Sequence, residues 1–376
     1  MSLATLLAET AARVPDRPAL AFEGRRIAYG ELDALAAAAP PEAALVALPL
    51  PNVPESVARF HGALRGGAVV VPLNPLLRER ELAQQRAPFA PSPGTAVVLH
   101  TSGTTGEPKR VELSHTVLRA NAEAVVGALG LTGDDVVFGS APLSHVFGMT
   151  ACMNASIAAG ACLALVERFD AVAALATIER EGVTVFMGVP AMLTALLAAS
   201  DETGRAPQLR IAHVGAAPLA PATLHAFEER FGVTVLEGYG MTEAGGVVAV
   251  NHADRPRKDG SVGTAVAGTT LRIAGDGEVL VGIDGRWIES GDVGRLDDEG
   301  YLFLLDRKKD VILRGGYTVY PREVEAVLLE HPAVREATVV GVPDERLGEE
   351  VVAVVVADAA GEELAAFARE PLAAYT

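Results

Sequence analysis

Cysteine, lysine and tryptophan are scarce in this chain. Its 376 residues include two cysteines, four lysines and one tryptophan. The two cysteines, Cys152 and Cys162, are too few for a disulfide framework or a four-cysteine zinc site. Both lie in an apolar stretch, so we expect buried structural thiols. The N-terminal segment MSLATLLAETAARVPDRPAL lacks the basic region and cleavage site of a signal peptide, which favours a cytoplasmic protein.

Positive charge is also in short supply. Lysine and arginine number 31 against 48 aspartates and glutamates, and the formal net charge is −17. This balance excludes a nucleic-acid-binding function, which needs the opposite sign. The longest uncharged stretch, residues 136–166, contains Pro142, His145 and Asn154, which indicates a buried α/β interior and not a membrane span. Any anionic ligand must therefore be held by local groups.

Short apolar runs alternate with amphipathic runs through most of the chain. Examples are GVTVFMGV followed by PAMLTALLAAS, and RIAHVGAAPL followed by PATLHAFEERFG. This alternation predicts an α/β fold with mainly parallel sheets and helices on their faces. From about residue 270, Asp-Gly turns separate runs typical of antiparallel strands, and a Val-rich tail predicts a small α+β domain. We place the boundary between residues 306 and 307, which gives domains 1–306 and 307–376.

A loop of glycines and hydroxyl residues follows the apolar strand AVVLH. It has the sequence TSGTTGEPK at residues 101–109. Glycines let backbone N–H groups turn towards a ligand, hydroxyls donate to phosphate oxygens, and Lys109 supplies a point charge. The spacing is not that of a P-loop. A plain surface loop is the alternative, but the order of residues after a buried strand favours phosphate binding.

A second glycine-rich turn ends the run VTVLEGYGMTE, at residues 238–243. Glu243 beside the Thr242 hydroxyl suits Mg²⁺ and phosphate oxygens, because Mg²⁺ takes hard oxygen ligands and usually one or two carboxylates. Tyr239 is placed to stack on a nucleobase. The alternative is a strand and turn with a solvated glutamate.

A third segment, ESGDVGRLDDEGYLFLLDRKKD, spans residues 289–310. Asp292 lies in a tight turn context, where a short acid can accept hydrogen bonds from both hydroxyls of a ribose. Arg307 follows a strand. Taken alone, both residues are also typical of ordinary turns and strand edges.

Together these segments resemble the adenylate-forming enzymes, which include acyl-CoA synthetases, peptide-synthetase adenylation domains and firefly luciferase. The resemblance rests on TSGTTGEPK, GYGMTE, ESGDVGRLDDEGYLFLLDRKKDVI and GGYTVYPREVE, in the order of the family. It covers nearly the whole chain. It implies a large N-terminal AMP-binding domain of stacked sheets with a distorted antiparallel barrel, followed by a small C-terminal lid domain.

The resemblance also implies an activity. The segments APLSHVFGMT, FMGVPAML and GVPDERLGEEVVA are similar to fatty acid–CoA ligases. In such enzymes a carboxylate attacks the α-phosphate of ATP, pyrophosphate leaves, and the thiol of coenzyme A then attacks the acyl-adenylate. The implied cofactors are ATP, Mg²⁺ and coenzyme A, and the implied setting is fatty acid metabolism.

The family roles transfer to individual residues of this chain. Thr242 would contact the α-phosphate, and Glu243 would hold Mg²⁺. Asp292 and Arg307 would take the ribose hydroxyls. The β/γ-phosphates would lie against Thr101, Ser102, Gly103, Thr104, Thr105, Gly106 and Lys109. Adenine would be framed by Gly215, Ala216, Ala217, Gly238 and Tyr239.

The resemblance places the acyl and thiol groups as well. His145 would lie at the acyl entrance, and Lys309 would be the hinge about which the C-terminal domain turns. Gly315, Gly316 and Tyr317 would line the pantetheine tunnel. The acyl pocket would be lined by Phe147, Met149, Met187, Gly188, Val189 and Met192. These positions are apolar, so we expect an aliphatic monocarboxylate of medium or long chain.

The sequence departs from the family in length and in one lysine. Relatives usually have a lysine near the C-terminus that reaches the α-phosphate, whereas no lysine follows Lys309 here. The stretch before the TSGTTG loop is short as well. We therefore expect a chain truncated at the C-terminus and shortened internally, with impaired adenylation, because loss of one preorganised charged donor typically costs a factor on the order of 10²–10³ in rate.

Two other functions stay open on the sequence alone. One is an acyl-AMP ligase that loads a carrier protein, although the segment GGYTVYPREVE favours coenzyme A. The other is a catalytically weak protein that binds acyl nucleotides. In each case the partner is a small carboxylic acid, joined by coenzyme A or a carrier protein.

Overall fold

The computed structural model of the protein describes residues 2–41, 43–101, 109–207, 209–315, 317–344, 346–369 and 371–372. The chain forms two compact units. Unit 1 comprises residues 1–270 with 282–288, and unit 2 comprises residues 271–281 with 289–376. The boundary between residues 306 and 307 stays a prediction about the functional domains.

Thirteen strands of the described part precede residue 270 and build two sheets. They are β1 Pro18–Phe22, β2 Arg25–Ala28, β3 Leu45–Pro49, β4 Val69–Leu73, β5 Thr95–Thr101, β6 Lys109–Ser114, β7 Val136–Gly139, β8 Cys162–Leu165, β9 Val185–Gly188, β10 Ile211–Val214, β11 Thr234–Met241, β12 Gly246–Val250 and β13 Thr264–Ala265. The larger sheet has the order β13-β12-β11-β10-β9-β7-β8-β1-β2, and the smaller has the order β3-β4-β5-β6.

Parallel pairing dominates the middle of the nine-stranded sheet. Strand β10 pairs in parallel with β9 on one side and with β11 on the other. Every residue of β9 and β10 is buried, as expected for parallel strands that are covered on both faces. Because carboxyl ends of parallel strands meet at one edge, the segments after β9, β10 and β11 come together there.

Eight further strands form two four-stranded sheets. They are β14 Thr269–Ile273, β15 Glu278–Ile283, β16 Arg286–Leu296, β17 Leu302–Arg307, β18 Ile312–Arg314, β19 Tyr317–Val319, β20 Val334–Asp344 and β21 Gly348–Ala357. The sheet orders are β14-β15-β16-β17 and β19-β18-β21-β20. The pairs β16–β17 and β20–β21 are antiparallel. The predicted fold class, with parallel sheets, an antiparallel barrel-like sheet and a small α+β end, is confirmed.

The helices alternate with the strands as the sequence predicts. They are α1 Leu6–Arg13, α2 Tyr29–Ala37, α3 Pro54–Arg65, α4 Glu79–Gln85, α5 His115–Leu129, α6 Ala155–Ala159, α7 Ala171–Glu181, α8 Pro190–Thr203, α9 Pro221–Phe231, α10 Pro321–Leu329 and α11 Gly361–Arg369, with 3₁₀ turns at Leu3–Thr5 and Thr242–Ala244 and a π-helix at Phe147–Asn154. Within the described ranges, no helix is long and apolar enough to cross a membrane.

Local chemistry explains where the longest helix begins and ends. The Ser114 hydroxyl accepts a hydrogen bond from the Val117 N–H at 3.2 Å, which caps the first turn of α5. Gly130 ends the helix with φ +56°, a left-handed conformation that glycine adopts without steric cost. The same helix contributes Asn121 to the site described below.

The two cysteines behave as the sequence predicts. Cys152 and Cys162 are both buried and free. Burial raises the pKa of the Cys152 thiol to about 12 and that of the Cys162 thiol to about 11. At neutral pH both are therefore protonated and unreactive, as structural thiols are.

Candidate active site

The hairpin of β5 and β6 holds the two ends of the predicted phosphate loop together. Thr101, the last residue of β5, pairs with Lys109, the first residue of β6. The predicted loop residues between them lie outside the described residues, and their roles stay predictions. They are Ser102, Gly103, Thr104, Thr105 and Gly106.

A second hairpin brings a carboxylate to Lys109. Strands β11 and β12 are joined by the 3₁₀ turn that contains Thr242 and Glu243, and Gly245 closes the turn with φ +79°. The Lys109 Nζ lies 3.7 Å from the Glu243 Oε1. The lysine side chain is 68% exposed and the glutamate 27%, so this ion pair is weak in water and open to exchange for a charged ligand. The structure thus unites two residues that are far apart in sequence.

Asn121 on α5 fixes the position of the second hairpin. Its Nδ2 donates to the Val247 carbonyl at 2.6 Å, and its Oδ1 accepts from the Val247 N–H at 3.1 Å. The neighbouring Gly246 has φ +143°, and a Cβ there would stand 2.5 Å from the Asn121 Oδ1. Glycine is therefore required at position 246 for this close approach.

A narrow cavity of about 40 Å³ lies at the carboxyl ends of β10 and β11. It is lined by His145, Val146, Phe147, His213, Gly215, Ala216, Gly238, Tyr239, Gly240, Gly246 and Val247. The predicted residues His145, Gly215, Ala216, Gly238 and Tyr239 are thus brought together. Ala217, which we predicted beside adenine, is exposed and does not line this cavity.

Neutral imidazole is the state of His145 at the cavity edge. Its Nδ1 accepts a hydrogen bond from the Phe147 N–H at 3.2 Å, so the ring proton is on Nε2. Desolvation by the surrounding protein lowers the pKa of His145 below its usual value. His145 therefore presents a hydrogen-bond donor at neutral pH.

Backbone strain marks the turn after β10. Ala216 has φ +69°, a left-handed conformation that costs a residue with a Cβ about 1 kcal/mol or more. The Gly215 N–H donates to the Gly188 carbonyl at 3.2 Å and holds the turn against β9. Such strain is common where a backbone is shaped to meet a ligand.

Unit 2 contains the predicted ribose pair. Asp292 on β16 and Arg307 on β17 are cross-strand partners, and the Arg307 Nε lies 3.3 Å from the Asp292 Oδ1. Asp292 is buried, whereas the Arg307 side chain is 54% exposed. The antiparallel register alone brings the two together.

The other predicted residues of unit 2 differ in how firmly they are held. Lys309 is exposed in the turn after β17. Its neighbour Lys308 contacts Asp276 and Glu278 at 2.7 Å each, and the hydrogen bonds that Lys308 donates to these carboxylates raise its pKa. Gly315 has φ +59°, and its N–H donates a hydrogen bond to the Leu347 carbonyl oxygen at 2.7 Å. Gly316 lies outside the described residues.

Two family models match the sequence. The family described as AMP-binding enzyme matches residues 7–87 and 84–286, and the family described as AMP-binding enzyme C-terminal domain matches residues 323–376. The chain belongs to the AMP-binding enzyme family. The resemblance to adenylate-forming enzymes is thereby confirmed.

Relatives of this AMP-binding enzyme differ in the acid that they are named for. The long-chain-fatty-acid–CoA ligase of Bacillus subtilis (strain 168) is 30% identical over 500 aligned residues, which cover 100% of this chain and 89% of that protein. The indoleacetate–CoA ligase of Aromatoleum aromaticum is 37% identical over 290 residues, 69% of this chain and 57% of the relative. O-succinylbenzoate coenzyme A synthetase from Bacillus subtilis, solved with ATP and a magnesium ion, is 29% identical and has a TM-score of 0.84, covering 99% of this chain and 94% of that one.

Five cavity residues were not predicted from the sequence, and His213 is the one among them with a titratable side chain; the others are Val146, Gly240, Gly246 and Val247. His213 is 1% exposed, and its ring centroid lies 5.6 Å from that of Phe147. Burial lowers the pKa of His213 to about 4. The signal in the sequence was a single polar residue in the apolar run IAHVGAAPL, two positions before the small residues that follow the strand.

The residues predicted for the acyl pocket differ in where the structure places them. Phe147 lines it, whereas Met149 and Met187 are completely buried in the hydrophobic core. Gly188 faces the Phe186 ring, and the Met192 sulfur lies 3.4 Å from the Ser140 hydroxyl. The role of these residues in acyl binding stays a prediction.

Proposed function

We propose that this chain is an AMP-forming ligase that joins a carboxylic acid to the thiol of coenzyme A. The family supports ATP-dependent adenylate chemistry, and the similar proteins named above are ligases or synthetases that use coenzyme A. The observation on which the proposal chiefly rests is the approach of Lys109 to Glu243 at 3.7 Å. This pair lies on the two hairpins whose glycines and turns match the family motifs.

Two substitutions make up the proposed reaction. A carboxylate oxygen forms a bond to the α-phosphorus of ATP, and the bond to pyrophosphate breaks. The thiol sulfur then bonds to the acyl carbon, the carbon–oxygen bond to AMP breaks, and the thiol proton passes to solvent. No protein nucleophile is needed, because positioning and charge stabilisation supply the catalysis.

The side chains on the two hairpins would hold the triphosphate. Lys109 is a flexible cation with three donors and would pair with phosphate oxygens once they replace Glu243 as its partner. The Thr242 hydroxyl would donate to the α-phosphate. His145, with its proton on Nε2, would donate to an oxygen of the acyl group at the cavity edge.

Mg²⁺ is often bound by one or two carboxylates together with substrate phosphates, and Glu243 would supply such a carboxylate here. No cluster of three or more His, Cys, Asp or Glu that could hold a metal ion occurs in the part of the chain that the structure describes, so a site formed only by protein is not indicated there. Bound Mg²⁺ would neutralise phosphate charge. The side chain is partly exposed and therefore accessible to a hydrated ion.

Other roles and settings belong to the same proposal. Asp292 and Arg307 would take the ribose hydroxyls, Lys309 would act as the hinge, and the protein would work in the cytoplasm. Coenzyme A is favoured over a carrier protein by the segment GGYTVYPREVE. The expectation of a medium- or long-chain fatty acid remains a prediction about the acid.

Pyrophosphate release tests the proposal. The purified chain would be incubated with Mg-ATP and saturated acids from acetate to octadecanoate, together with aryl and hydroxy acids, with and without coenzyme A. We expect release that depends on the acid, and a thioester when coenzyme A is present. The absence of acid-dependent release across the panel, from a folded protein, would contradict the proposed function.

A further inference from the structure

A buried histidine interrupts the apolar wall of the acyl side. His213 is the third residue of β10, in which Ile211, Ala212 and Val214 are apolar. It is 1% exposed and lines the cavity at the carboxyl end of the strand. A histidine buried at this depth normally finds partners for its ring nitrogens.

The hydrogen bond on one side of the ring defines the proton position. The Nδ1 of His213 lies 3.1 Å from the Leu236 carbonyl oxygen on β11. A carbonyl oxygen only accepts, so Nδ1 is the protonated nitrogen. Because the ring is neutral at pH 7, its Nε2 has a free lone pair and is a hydrogen-bond acceptor.

The other side of the ring faces glycine. A Cβ at Gly238 would lie 2.5 Å from the His213 Cε1 and 3.4 Å from its Nε2. Gly238 and His213 both line the cavity, so the absence of a side chain at position 238 leaves the Nε2 edge open. Within the described ranges, no hydrogen bond reaches this nitrogen.

Two more buried polar groups belong to the π-helix, and one of them, Thr150, lies behind the same wall. Gly246 lines the cavity, and a Cβ there would stand 3.4 Å from the Cβ of Thr150. In the described part of the chain, neither the Thr150 hydroxyl nor the Asn154 amide, both completely buried, has a hydrogen-bond partner. Both residues belong to the π-helix that begins at Phe147. Neither Thr150 nor Asn154 lines the cavity itself, so the imidazole of His213 is the buried polar group of β10 that an acid there would contact.

The cavity is small as well as polar on one side. Its volume of about 40 Å³ holds roughly three water molecules, since each needs about 10–15 Å³ by this measure. The ring of Phe147 and the side chain of Val247 border it. A saturated long chain gains nothing from an imidazole acceptor, and its contact would leave Nε2 without a partner.

We propose that the Nε2 of His213 accepts a hydrogen bond from a hydroxyl or N–H group of the acid, so that the preferred substrates are compact acids with such a donor. His145 at the edge presents a donor and His213 in the wall presents an acceptor, and this complementarity selects the orientation of the acid. The inference rests on the proposed function and replaces the saturated medium- or long-chain acid as the substrate class.

Matched acid pairs test this inference. Butanoate is compared with 3-hydroxybutanoate, and phenylacetate with 4-hydroxyphenylacetate, by kcat/KM for pyrophosphate release. We expect at least one donor-bearing acid to exceed its partner by about tenfold, the size of one well-made hydrogen bond. In His213→Leu we expect the preference, measured as the ratio of the two kcat/KM values within that variant, to fall to about one.

His61→Leu is the matched control. His61 is also a buried neutral histidine, in α3, and it does not line the cavity. We expect this variant to keep the preference for the donor-bearing acid. An equal loss in both variants would show a general effect of losing a buried histidine and would overturn the inference.

A spectroscopic measurement on the unmodified protein makes the test independent of variant folding. With ¹⁵N-labelled histidine, the unprotonated Nε2 of His213 should shift when the hydroxylated acid binds, and should stay in place with the saturated partner. No shift with any donor-bearing acid that reacts would overturn the inference alone. No pyrophosphate release with any acid would instead overturn the proposed function.

Discussion

The two ends of the parallel strands β10 and β11 are built differently. At the carboxyl ends lies a cavity of about 40 Å³ with five small residues and two neutral histidines. At the amino ends lies a wider cavity of about 230 Å³. The polar residues that line it are Arg210, Thr234, His252, Arg255 and Arg257. By size and charge, the amino end is the more obvious site for an anion.

The arginines at the amino end are, however, already paired. The pairs are Arg210–Asp135, Arg257–Asp259 and Arg255–Asp254, with N–O distances of 2.9, 3.0 and 3.5 Å. Their positive charge is therefore already neutralised by ion pairs within the protein. At the carboxyl end the backbone is opened by glycines, and the Nε2 of His213 has no hydrogen-bond partner among the described residues. Buried nitrogens without a hydrogen-bond partner in the described part of the chain occur at the amino end as well, at His252 Nε2 and Arg257 Nε. The comparison teaches that cavity size and positive charge do not by themselves mark a ligand site, because the arginine charges at the amino end are already neutralised by carboxylates of the protein.

Of all the variants, Glu243→Gln is expected to have the largest effect, and that effect is on the rate of pyrophosphate release. Loss of the carboxylate removes the proposed Mg²⁺ ligand and the partner of Lys109, so pyrophosphate release should fall by a factor on the order of 10²–10³. Glu229→Gln, at an exposed position on α9, is the control and should keep full activity. Unchanged turnover in Glu243→Gln, with Mg²⁺ dependence intact, would remove the metal assignment.

Two buried asparagines should differ in how much their substitution lowers the free energy of unfolding. Asn121→Leu leaves both backbone groups of Val247 without partners, so we expect a loss of about 2–4 kcal/mol in the free energy of unfolding. Asn154→Leu removes an amide that has no hydrogen-bond partner in the described part of the chain, and should change it by less than about 1 kcal/mol. Urea unfolding of both variants is the measurement. Equal losses would show that Asn154 is satisfied after all.

The free energy of unfolding should depend on pH through different groups at the two ends of the strands, and His213 is the group at the carboxyl end. The folded pKa of His213, about 4, lies below the unfolded value of about 6.5. Its contribution is therefore present above pH 6.5 and is lost as pH falls towards 4. Between pH 7 and 5 the unmodified protein should lose about 2 kcal/mol more than His213→Leu. Identical losses in urea unfolding at the two pH values would contradict the neutral buried ring.

Asp135, at the amino end, should change the free energy of unfolding only at a lower pH than His213 does. Burial alone would raise its pKa, but hydrogen bonds from Arg210, Thr132 and Thr184 lower it below the usual value of 3.8. Its stabilising contribution is therefore intact at pH 5 and is lost as pH falls below the usual value. Arg210→Gln should accordingly flatten the stability curve only below about pH 4, a range in which urea unfolding can be followed.

Ala216→Gly is expected to have the smallest effect. Glycine relieves the strain of φ +69° but gains freedom in the unfolded chain, so the net stabilisation should be at most about 1 kcal/mol. Thermal unfolding of the variant measures it. A clear destabilisation would show that the Ala216 methyl makes contacts that outweigh the strain.

The sequence predicted the parts of the site that are local. The family motifs supplied Thr101 with Lys109 and Asp292 with Arg307, and in the structure each pair lies on one hairpin, close in sequence. His213 was not predicted as a site residue, because the residues around it come from β11, β12 and the π-helix, which are all distant in sequence. Ala217 does not line this cavity, unlike its neighbours Gly215 and Ala216, and its place beside adenine stays a prediction.

The transfer of oxygen tests the central claim most directly. An acid labelled with ¹⁸O in both carboxylate oxygens would be incubated with Mg-ATP and coenzyme A, and the products examined by mass spectrometry. If the carboxylate attacks the α-phosphorus, each AMP formed contains one ¹⁸O, and the thioester keeps the other. Label in inorganic phosphate or pyrophosphate, or thioester formed with unlabelled AMP, would contradict an acyl-adenylate intermediate.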